Sequence, residues 1–88
     1  MAQFLGQNPE EVTELAREFD AKAQAVEDVI TQLTTKFANT TWTGPDRERF
    51  EGDFTSRLTS NLRTVSGALG DAAILARANA EQQVTASQ

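Results

Sequence analysis

The chain has no cysteine, no histidine and no tyrosine. Without cysteine there is no disulfide to brace a fold and no thiol to act as nucleophile or soft metal ligand. Without histidine the usual general base and the commonest metal ligand are both absent, so chemistry would have to rest on Asp, Glu, Lys, Arg, Ser or Thr. The Ser and Thr residues are many, but none sits in a glycine elbow, and there is no Gly-rich phosphate loop. The acid pairs Glu10-Glu11 and Glu27-Asp28 are neighbours in sequence and point in different directions on a helix. The sequence therefore reads as non-catalytic, with no cofactor and no metal. Long hydrophobic runs are also missing. The longest, Ala72 to Ala76, falls far short of the ~20 residues a membrane-spanning helix needs. The start, Met1-Ala-Gln-Phe-Leu-Gly, has neither the basic region nor the apolar core of a cleaved secretory signal.

Basic charge is scarce as well. Thirteen acids against eight bases leave a net charge of −5, which argues against nucleic acid as a partner. It also disfavours an anionic membrane surface, leaving a membrane-active role as an alternative only. The five Arg from Arg47 onward are interleaved with acids and read as a solvated face.

What remains is helical pattern, in two stretches. Residues 1–7 read as an arm, with Phe4 and Leu5 outside any period. Asn8, Pro9 and Glu11 give a strong helix start: a cap, a first-turn proline and an acid three residues after the cap. Val12, Phe19, Val26 and Leu33 then repeat every seven residues, and Ala16, Ala23, Ile30 and Phe37 repeat four later, with Leu15 and Val29 widening the stripe. This predicts one helix over 8–39. Asn39-Thr40-Thr41 ends it, Asn39 suiting a left-handed terminal position. The turn spans 40–45, and Pro45 forces the chain to re-enter helix at Pro45 or Asp46, with Thr43 and Asp46 also at capping-box spacing.

The second helix is expected over 46–82, carrying Phe50, Phe54, Leu58, Leu62, Val65, Leu69, Ala72 and Ala76. Its first spacings are four, four and four, so the stripe drifts before it settles into heptads after Leu58. Gly67 and Gly70 mark either a close approach of another helix or a bend. Residues 83–88 read as a loose tail. The fold class is all-α, a single antiparallel two-helix hairpin about 45 Å long. Two helices side by side enclose no centre, so part of each stripe stays wet. Burying a large apolar side chain contributes about 1.5–3 kcal/mol, which predicts dimerisation into a four-helix bundle through the seam named above.

Trp42-Thr43-Gly44-Pro45-Asp46, with Phe50 following, holds the only Trp and stands at the one reversal of a short helical chain. In this the sequence resembles, over about residues 8–82, the WXG-motif family, the small helical hairpins of type VII secretion in Gram-positive bacteria. The resemblance implies manufacture in the cytoplasm and export without a cleaved leader by a membrane-bound secretion ATPase, as a folded homodimer or heterodimer with another hairpin of this type. It implies that Trp42 and Gly44 shape a turn used in export. The family's export signal pairs a C-terminal Tyr with an acid four residues later. This chain has Arg77 and Glu81 at the nearest equivalent positions. Three explanations stand: the chain rides with a partner that carries the Tyr, it uses Glu81 with other C-terminal contacts, or it targets a larger exported toxin. A helical adaptor unrelated to secretion is the remaining competitor.

Overall fold

The computed structural model describes the backbone of residues 6–87 and the side chains of residues 6–86; the expected Phe4–Leu5 arm lies outside them, and Gly6 and Gln7 precede the first helix. The fold is a helical hairpin. Helix α1 (Pro9–Ala38) returns through residues 39–44 into α2 (Pro45–Asp53), which passes through one π-helical turn (Phe54–Leu58) into α3 (Thr59–Ser87). The rod measures 66 × 18 × 14 Å. It is longer than the expected 45 Å because helix from 45 to 87 alone spans about 65 Å at 1.5 Å per residue.

Asn8 caps α1: its side-chain oxygen accepts from the backbone N–H of Glu10 at 3.0 Å and of Glu11 at 3.3 Å, satisfying two of the orphan donors of the first turn. At the other end Asn39 is not left-handed (φ −95, ψ 6). The helix closes by tightening instead. The Thr40 N–H reaches Phe37 O at 3.1 Å and the Thr40 hydroxyl donates to Lys36 O at 2.6 Å. Gly44, not Thr43, is the N-cap of α2. It sits at φ 114, where an L side chain is strained, and no side chain caps the helix start.

One sequence expectation needs correction: the second helical segment does not end near 82. Residues 83–87 continue α3, because Ala80 is still buried in the seam and Gln83 is half-buried one turn on. The helix runs unbroken through Gly67 and Gly70, and the irregularity of this segment is the π turn. Leu58 and Val65 of the expected seam are 45% and 48% exposed in the single hairpin. The buried positions after Phe54 are Thr59, Ser66, Ala73 and Ala80. The π turn explains the shift. The Thr59 N–H donates to Phe54 O, five residues back, so the turn holds one extra residue. The buried face steps from 54 to 59 and then runs by sevens.

Four small side chains on α3 let the helices come close. The Ser66 hydroxyl donates to the backbone carbonyl of Ala23 on α1 at 3.0 Å, and Ala16 and Ala73 are both fully buried. Ile30 is the largest buried residue of α1. No such closeness exists at the turn end. No Cα of α2 lies within 8 Å of an α1 Cα, and large rings fill the space between.

Candidate functional site

The wide end of the hairpin holds an aromatic cluster. Phe37, near the end of α1, is its centre. The Phe37 ring centroid lies 6.2 Å from Trp42, 5.7 Å from Phe50 and 6.0 Å from Phe54, and Trp42 lies 5.4 Å from Phe50. These separations are those of interacting aromatic pairs. The Arg47 guanidinium stands 5.0 Å over the Phe37 ring and is held there by Glu51, whose carboxylate is 3.0 Å from it. Trp42 is thus placed by packing: the non-helical chain at 41–43 lays it against Phe37 and Phe50, and Gly44 supplies the left-handed step that lets Pro45 start α2. Together with Leu33 and Leu58 these rings line an apolar groove of about 290 Å³ open to solvent.

The groove heads a longer surface. Leu33 and Leu58 both line it, so the Val12-Phe19-Val26-Leu33 edge of α1 and the Leu58-Val65 edge of α3 lie on one side of the rod. This open face also carries Leu15 and Val29 from α1, exposed, and the half-buried Leu62 and Leu69 from α3. Positions 58, 61, 62, 65, 68, 69, 72, 75, 76 and 79, which form its α3 margin, include no charged residue. On the opposite side Arg77 of α3 pairs with Asp20 of α1, Thr13 borders a shallow recess with Ala80 and Val84, and Ile74, one turn before Arg77, is exposed.

Charge on the open face is confined to the α1 margin. Lys22 is 2.8 Å from Glu18; this hydrogen bond, with the attraction behind it, holds the Glu18 carboxyl below and the Lys22 ammonium above their ordinary ranges. Glu11 and Lys36 form no ion pair among the described residues.

The residues expected in the seam divide three ways. Ile30 and Phe54 are buried within the hairpin. Val12, Phe19, Val26, Phe37, Leu62 and Leu69 are half-buried. Leu33, Phe50, Leu58 and Val65 are exposed on the open side. Trp42 and Gly44 meet at the cluster. Arg77 and Glu81 are not brought together as a pair, since Arg77 is engaged across the hairpin by Asp20. Sequence reasoning missed Thr59, Ser66, Ala73 and Ala80, although four small residues seven apart were a usable signal. It also missed Arg47, whose spacing from Glu51 shows but whose stacking on Phe37 does not.

Among the described residues no group of three or more His, Cys, Asp or Glu is placed to hold a metal ion, and no helix is long and apolar enough to cross a membrane. No protein-family model, characterised protein or solved structure matches the chain.

Proposed function

We propose that this chain is a non-catalytic hairpin of the WXG-motif type, made in the cytoplasm and exported by a type VII secretion ATPase, which works by packing its open face against another hairpin in a four-helix bundle. The observation that carries the reading is the position of Trp42-Thr43-Gly44: at the one reversal of a helical hairpin, inside an aromatic cluster that heads a continuous apolar face. An apolar face of this extent favours a protein partner, because water contact along it costs free energy that a second apolar stripe recovers. Arg77 is paired with Asp20 across the hairpin. In this reading the chain contributes to export through its turn end and through the bundle it forms, including one with a hairpin that carries the Tyr.

The test is export from a Gram-positive host with a functional type VII system, compared with the same host lacking the secretion ATPase. The wild-type chain is expected outside the cell only when the ATPase is present. Trp42→Ala and Gly44→Val are expected to lose export while most helicity, read by circular dichroism of the purified variants, is kept. Export that persists without the ATPase, or variants that unfold in proportion to their loss of export, would remove the secretion role of the turn.

A further inference from the structure

We infer that the groove at the turn end is a binding site for a small anionic amphiphile: one medium-length hydrocarbon chain ending in a carboxylate. The inference concerns the groove of a single hairpin and does not depend on the export reading.

Size limits the occupant first. The groove holds about 290 Å³. One turn of α-helix, about 10 Å across and 5.4 Å tall, fills roughly 400 Å³. A neighbouring helix can lie over the open face but cannot enter the groove, whereas a slender chain can. The walls are set before any ligand arrives. Phe37, Trp42, Phe50 and Phe54 brace one another, and Arg47, tied to Glu51, covers the Phe37 ring. Little ordering is then needed on binding.

The lining sets the chemistry of the occupant. Among the described residues, Lys36 is the only charged residue that lines the groove, and it has no ion pair. The other polar side chain there is Thr40, whose hydroxyl already donates to Lys36 O. A ligand meets hydrocarbon and aromatic surface everywhere except at one ammonium. That suits a tail without polar atoms and a head of negative charge. The end of α1 does not oppose an anion, because its carbonyls are engaged: Thr35 O and Lys36 O accept from the Asn39 N–H, and Phe37 O from the Thr40 N–H. Nor do most acids of α2. Asp46 is paired with Arg49, Glu51 with Arg47 and Asp53 with Arg57, leaving Glu48. A cationic head would face Lys36 and Arg47 instead of a partner.

The single Trp makes the test direct. Trp42 lines the groove and is 38% exposed, so its fluorescence reports filling. The purified chain is titrated at pH 7 with hexanoate, octanoate, decanoate and dodecanoate, each below its micelle concentration. A saturable blue shift is expected, with affinity rising about four-fold for each methylene buried. Decanoate should bind about three-fold tighter than 1-decanol, and Lys36→Gln should erase that difference while keeping the four-fold steps. Leu58→Glu puts a carboxylate into the groove from an exposed position and should abolish the shift. Leu75→Glu, also exposed but about 25 Å farther along α3, should leave it unchanged. Both variants are expected to keep their helical circular dichroism. Four results would each overturn the inference: no saturable shift, equal affinity for hexanoate and decanoate, decanoate and 1-decanol bound alike by the wild-type chain, or a shift produced only by phosphatidylglycerol vesicles. Secretion that depends on the ATPase is read in a separate assay and stands or falls independently.

Discussion

Replacing Ala73 with leucine tests how closely the two helices approach. Ala73 is fully buried on the line Thr59, Ser66, Ala73 and Ala80, and Ala16 across from that line is fully buried too. One heptad earlier the Ser66 hydroxyl touches an α1 backbone carbonyl. Three added carbons therefore have no space unless α1 and α3 separate. Overpacking of this kind costs about 1–3 kcal/mol. For a chain of this size each 1 kcal/mol moves the thermal midpoint by roughly 4–8 °C, so Ala73→Leu should lower it by roughly 5–20 °C. Ala25→Leu is the control. It adds the same carbons at an exposed position of α1 and should fall within about 0.5 kcal/mol of wild type. The assay is the loss of helical circular dichroism on heating, at one protein concentration for all variants because association shifts the midpoint. Equal losses for the two variants, or a neutral Ala73→Leu, would refute the close approach and with it the 59-66-73-80 line.

Two further predictions use the same assay. Gly67 and Gly70 have nothing within 4 Å of where a Cβ would stand, so Gly67→Ala and Gly70→Ala should each stabilise the hairpin by about 1 kcal/mol by removing glycine's helix cost; a loss of stability would show that a neighbour packs there. Asn8→Ala removes the oxygen that accepts from Glu10 and Glu11, and should cost about 1 kcal/mol in urea unfolding with an unchanged slope; no change would mean that water satisfies the first turn equally well.

Where the sequence was legible, it was legible because periodicity and punctuation agreed. On α1 the two heptad lines, the Asn8-Pro9 start and the Asn39-Thr40 stop all describe one helix, and Ala16 and Ile30 are buried where the second line puts them. On α3 the same reasoning listed large apolar residues as one seam and did not single out the small residues that face α1. Two helices that approach closely bury small residues, and the large ones are turned to the flank, where Leu58 and Val65 now stand. Hydrophobic pattern does not distinguish a residue facing its own hairpin from one facing a neighbour, since both are apolar.

The spacing of four, four and four from Phe50 to Leu62 carried more than drift. An α-helix cannot keep residues four apart aligned over several turns, but one inserted residue lets it do so. The π turn is that insertion, and its position decides what the turn end presents. It brings Phe54 inward against Phe37 while Thr59, five residues on, begins the small-residue line. Above it the chain is held apart by rings; below it the chain is held close by alanines and a serine. Without that extra residue the buried line at 59, 66, 73 and 80 would meet α2 about 100° out of phase, and Phe54 would not share a side with it. The groove at Trp42 and the tight seam at Ala73 are thus two consequences of one local irregularity, and the open face runs past both because Leu58, the last residue of the π turn, points to the same side as Leu33.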